Sequence, residues 1–137
     1  MTSYTLQAQL AQPYDSAVEA VRVALDEQGF GILTEIDLKA TLKTKLDVDV
    51  APQVILGACR PALAYEALTA EPSIAAVLPC NVVVRAVDDA TTVVEAFDPD
   101  TMVGLADNDA LGSVAADAKQ RLTAALAALD SDIERDN

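Results

Sequence analysis

The chain has 137 residues, the size of one domain, and carries 22 acidic against 9 basic residues for a formal net charge of −13. That balance excludes nucleic acid and anionic membrane surfaces as partners, because both would be repelled. Histidine is absent, which removes the usual general base, the Ser-His-Asp and Cys-His arrangements and the commonest zinc and iron ligand.

Residues 4–10 alternate, with Tyr4, Leu6, Ala8 and Leu10 on one side, and predict a half-buried strand. Pro13, Asp15 and Ser16 then open a helix in which Ser16 and Glu19 have capping-box spacing. Val18, Val21 and Leu25 form its apolar stripe, and Gly29 stands where a positive φ ends a helix. Phe30 to Ile36 reads as a second strand, with Phe30, Ile32, Thr34 and Ile36 expected on one face. Asp37 is placed to cap a short helix through about Leu46 that turns Leu38 and Leu42 inward. After a loop, the unbroken apolar run Val54 to Cys59 has the pattern of a central strand covered on both faces.

Pro61 sits at the favoured first position of the next helix, whose packing face is Leu63, Ala64, Ala67 and Leu68. Glu71 to Pro79 is an apolar connection, apolar enough to expect burial. Val82 to Val87 and Thr92 to Phe97 read as a hairpin around Asp88, Asp89 and Ala90, and Asp98-Pro99 ends it. From about Asn108, Leu111, Val114, Ala118, Leu122, Ala125, Leu126 and Leu129 recur at helical spacing. Residues after about 130 are expected to fray. The whole chain, 1–137, thus reads as a single α+β domain: a mixed sheet of about five strands with helices mainly on one face, in the order β-α-β-α-β-α-β-β-α.

The chemistry these residues permit is narrow. No phosphate-cradling glycine loop, cofactor motif, catalytic set or metal-ligand set is present, so no catalytic residue, resident metal or cofactor is expected. Glu35 and Asp37 flank Ile36 on one side of a strand and could line a cleft with Lys45; equally, Asp37 caps a helix while Glu35 faces water. Cys59 precedes Arg60-Pro61 and a helix N-terminus, where amides and a guanidinium favour the thiolate. Cys80, followed by Asn81, lies at the start of the next strand. The two thiols are far apart if their strands run parallel and meet if Glu71 to Pro79 returns the chain; both are also accounted for as buried small hydrophobes.

Taken together, Glu35-Ile36-Asp37, the helix with Lys45, Cys59-Arg60-Pro61, Leu78-Pro79-Cys80-Asn81 and Asp98-Pro99 make a set that resembles the prokaryotic domain-of-unknown-function family 302. The Gly29-Phe30 strand entry fits as well, and the resemblance runs from Tyr4 to about Leu129. It implies a compact α+β domain that self-associates and has no assigned activity. Where the family's pattern has Asn between the Cys and the Pro, this chain has Arg60, which would turn a ligand there toward an anion or abolish the site.

Three functional expectations follow. The first is a homodimeric small-molecule-binding module using Glu35, Asp37, Lys45, Cys59, Arg60, Cys80 and Asn81. The second is a thiol redox or soft-metal protein using Cys59 and Cys80, with Met102 as a further sulfur. The third is a structural or interaction domain that associates through its long last helix. The N-terminal residues have neither a basic start nor an apolar run, and free thiols fit a reducing compartment, so the expected location is the cytoplasm.

Overall fold

The computed structural model describes residues 4–136, with side chains described for 4–129. Strand β1 (Thr5–Leu10) leads into helix α1 (Tyr14–Glu27), β2 (Gly31–Asp37), α2 (Leu38–Leu46) and β3 (Gln53–Cys59). Helix α3 (Pro61–Ala70) and a 3₁₀ segment (Pro72–Val77) follow, then β4 (Cys80–Asp88), β5 (Thr91–Phe97), α4 (Asp100–Ala106), a 3₁₀ turn (Asp109–Leu111) and α5 (Gly112–Asp136). Helix α4 was not anticipated. The expected frayed tail falls where side chains lie outside the described residues.

The five strands are ordered β1-β5-β4-β3-β2. Every ladder is antiparallel, where a mixed sheet was expected. A helix between two strands makes them parallel only if it carries the chain back across a face of the sheet. Helices α2 and α3 instead leave and return at the same end: Asp37 pairs with Val54 around α2, and Ala58 pairs with Cys80 around α3. Only α1 crosses the sheet, joining β1 on one edge to β2 on the other. The central strand is therefore β4. Along β3, Val54, Leu56 and Ala58 are buried on the side of the helices; on the other side Gly57 is buried and Ile55 is half-buried.

Helices α1 and α5 pack together over one face. Their core gathers Leu10, Val21, Leu56, Val84, Val94 and Leu122, all nearly inaccessible. A smaller cluster of Leu63, Ile74, Met102, Leu111 and Val114 lies where α3 and α4 meet the start of α5. The Glu71 to Pro79 connection, expected to be buried, is anchored only through Ile74, at 4% exposure, while Pro72, Ser73, Ala75 and Ala76 are exposed. Every apolar position named for the last helix, from Leu111 to Leu129, is buried in the chain's own core. That stripe is therefore not available as an association surface. Among the described residues no helix is long and apolar enough to cross a membrane.

Helix α1 ends as its glycine implies. Gly29 has φ +85°, its N–H bonds Asp26 O, and the Phe30 N–H reaches Leu25 O, which satisfies two end carbonyls. Its start differs: the N-cap is Pro13, and Ser16 lies inside the first turn, donating to Pro13 O at 3.0 Å instead of forming a capping box.

Strand β2 contains a bulge. Ile32 opposes Ala58 and Thr34 opposes Gly57, leaving Leu33 as the extra residue. The bulge reverses the alternation, so Phe30 and Ile32 join the core while Thr34 and Ile36 turn to the opposite face. Gly57 accommodates the shifted strand, since a Cβ there would stand 2.1 Å from Thr34 Oγ1 and 2.8 Å from Pro79 Cγ.

Candidate functional site

The residues singled out from the sequence do not form one hollow. Past the bulge, Glu35 and Asp37 lie opposite Leu56 and Val54, on the side of the helices. There Glu35 is ion-paired with Arg22 of α1, and Asp37 caps α2 by accepting the Ala40 N–H at 2.9 Å. Lys45 is exposed in the last turn of α2, which buries none of its residues; Leu38 and Leu42 are only half-buried. Cys59 of β3 and Cys80 of β4 lie at the other end of the sheet, where Gly31 of β2 pairs with Cys59. Five residue steps along β3 lead from Val54 to Cys59, about 17 Å at the usual strand rise. The cleft proposed for Glu35, Asp37 and Lys45 together with the thiols is thus corrected: ion pairing and capping occupy the first two, and the sheet holds them away.

Cys59, Arg60 and Cys80 do come together. With Phe30, Leu63 and Met102 they line a cavity of about 30 Å³ beneath α3, enough for one water-sized particle. The antiparallel β3–β4 pairing brings the two cysteines close, the second of the arrangements left open by the sequence. Both are free thiols; Cys80 is buried and Cys59 is half-buried. Arg60 is the N-cap residue of α3 and makes no side-chain cap bond there. Its Nε lies 2.9 Å from where a Gly29 Cβ would sit, and that buried nitrogen has no hydrogen-bond partner. The missing side chain at Gly29 is what admits the guanidinium.

The thiols are not activated. Burial pushes the Cys59 thiol up, and burial followed by the charge of Cys59 pushes Cys80 up to about 11. Desolvation outweighs the helix amides and the guanidinium expected to favour a thiolate. At pH 7 Cys80 is then ionised to about one part in ten thousand. Iodoacetamide should therefore modify Cys80 in the folded protein roughly 100-fold more slowly than an ordinary peptide thiol, read by mass spectrometry of tryptic peptides. Rates equal to those of the unfolded chain would contradict this environment.

A second, wider hollow of about 460 Å³ lies on the face of the sheet opposite α1 and α5. Gln53, Asn81, Val83 and Arg85 contribute to its lining, along with Tyr4 and Phe97. Arg85 Nη1 donates to Glu95 Oε1 at 2.5 Å, and Thr5 Oγ1 donates to Glu95 Oε2 at 2.9 Å. The bond from Arg85, then that from Thr5, holds the Glu95 carboxyl below its ordinary value. Asn81 belongs to this hollow and not to the thiol cavity, while Pro79 borders both. Gln53, Arg85, Glu95 and Phe97 were missed as site residues. Their signal was present: at alternate positions, polar Asn81, Arg85 and Glu95 interrupt otherwise apolar strands, marking a solvent-facing side.

The charge of this face differs from that of the chain. Among the odd-numbered strand positions 5–9, 53–57, 81–85 and 93–97, together with Thr34 and Ile36, only Arg85 and Glu95 are charged, and they neutralise each other.

The family model described as "Domain of unknown function DUF302" matches residues 5–129. The chain belongs to the DUF302 family. A solved structure described as an uncharacterized conserved protein DUF302 from Bacillus stearothermophilus is 28% identical and superposes with a TM-score of 0.82, covering 91% of this chain and 97% of that one. No curated protein matches the chain. The DUF302 fold therefore accounts for the five-stranded sheet and its helical layer.

Proposed function

We propose that this DUF302 domain is a homodimeric small-molecule-binding module, in which the open sheet face meets the same face of a second copy and the hollow over Asn81, Val83 and Arg85 holds the ligand. The observation that carries this reading is a hollowed sheet face whose only charges among those strand positions, Arg85 and Glu95, cancel, on a chain of net charge −13. Two such acidic chains repel each other over most of their surfaces, and this face is where the repulsion is weakest. Half-buried Ile55 and Val83 offer apolar contact, and sheets pack well face to face. A two-fold contact places the same patch on both sides, so one surface suffices.

The hollow's volume of about 460 Å³ falls within the usual range for small-molecule sites. Its chemistry suits a compact neutral ligand. Tyr4 and Phe97 supply aromatic walls, and the side-chain amides of Gln53 and Asn81 supply hydrogen bonds. The Arg85–Glu95 pair is already satisfied, so a charged ligand would have to break it. The free thiols fit a reducing compartment, and we assign the domain to the cytoplasm.

Light scattering tests the assembly. The native chain should give twice the 14.3 kDa chain mass, and Val83→Asp should give 14.3 kDa with an unchanged circular dichroism spectrum. A native chain that stays monomeric at every concentration removes the dimer. A thermal-shift screen of neutral metabolites tests the ligand: stabilisation should appear for the native protein and vanish for Asn81→Ala. No stabilisation by any compound, or stabilisation untouched by Asn81→Ala, removes this hollow as the site.

A further inference from the structure

The chain contains two cysteines and two methionines. Both cysteines and Met102 line the single cavity beneath α3, although they arrive from β3, β4 and α4. We propose that Cys59 and Cys80, with Met102 as a third sulfur donor, bind one soft monovalent cation, Cu(I), in that cavity. This site is separate from the open face and does not depend on its role.

Four observations converge on this ion. Thiolate and thioether donors together are the set that soft Cu(I) prefers. The cavity's volume of about 30 Å³ admits a single ion and excludes an organic ligand. Among the described residues no three His, Cys, Asp or Glu side chains converge, so the three or four such donors that zinc requires are lacking. The charges also close. Two thiolates and Cu(I) leave one negative charge, and Arg60, which lines the same cavity, supplies one positive charge through a guanidinium whose buried Nε has no partner. Half-buried Cys59 provides the way in from solvent.

Binding breaks two S–H bonds and forms two S–Cu bonds, and both protons leave to solvent with no change in oxidation state. The thiols stay protonated until the metal displaces their protons.

Anaerobic titration of the reduced full chain with Cu(I), against a chromophoric Cu(I) chelator, tests the proposal. One equivalent should bind, with two protons released into weakly buffered solution. Cys59→Ser and Cys80→Ser should each lower the affinity by more than the roughly 10–100-fold typical of changing an outer-sphere partner. Arg60→Gln should weaken binding less than either cysteine variant. Should a serine variant fail to fold, copper-edge X-ray absorption on the native protein decides alone, with two or three sulfur neighbours expected. Nitrogen or oxygen neighbours, binding that survives Cys80→Ser, or tight retention of Zn(II) alone would overturn the proposal.

Discussion

Replacing Leu122 with alanine is expected to lower the unfolding free energy by about 2–5 kcal/mol. Leu122 lies in the middle of α5 and is 1% exposed. It belongs to the core cluster that Val21 and Leu25 of α1 and Val82 and Ala96 of the sheet also enter. Truncation removes apolar contact and leaves a hole that two packed helices and a sheet cannot close. These side chains already border a void of about 10 Å³, so the new space would enlarge an existing gap. Urea unfolding followed by circular dichroism measures the effect as a lower midpoint at constant slope. Leu105→Ala is the matching control. Leu105 is 66% exposed, and its truncation should change stability by less than about 0.5 kcal/mol. An unchanged midpoint for Leu122→Ala would mean that the buried face of α5 is wrongly assigned.

Raising the pH from 9 to 11 is expected to destabilise the fold by roughly 2–3 kcal/mol through Cys80 alone. The unfolded thiol loses its proton near its ordinary value of 9.0, whereas the folded one holds it to about 11. The group's contribution is therefore fully present below pH 9. It declines through the interval in which only the unfolded chain is ionised and is gone above pH 11. Tyr14 adds a loss of the same sign at higher pH, because burial, then Asp37 and Asp15, raise its hydroxyl as well. Comparing unfolding free energies of the native chain and Cys80→Ala across this range isolates the thiol, since Tyr14 is common to both. Parallel pH profiles would show that Cys80 is not held in a desolvated environment.

Most elements were legible because their signals are local. The alternation in residues 4–10, the period of the last helix, Gly29 after α1, Asp37 before α2 and the hairpin at Asp88 each state a backbone preference within a few residues. Helix α4 escaped because it is only seven residues long and follows Asp98-Pro99, which reads as a terminator. The face assignment of β2 failed at Leu33, since a bulge is specified by the partner strand and leaves no periodic mark in its own sequence.

The candidate sites were legible in part. Cys59, Arg60 and Cys80 share a cavity, but Glu35 and Asp37 have local partners that satisfy them: a guanidinium one helix away and an amide three residues on. Spacing indicates that two carboxylates share a side. It does not indicate which basic group waits on that side.

By itself, the sequence determined the kinds of elements, the aliphatic core, the acidic surface, the absence of histidine chemistry and the family. The tertiary structure alone decided the strand order, the antiparallel pairing around α2 and α3, and the union of both cysteines with Met102. The division has a physical cause: helix and strand periodicity arise from neighbours along the chain, whereas register and cavity lining arise between residues far apart in sequence, and only packing selects among them.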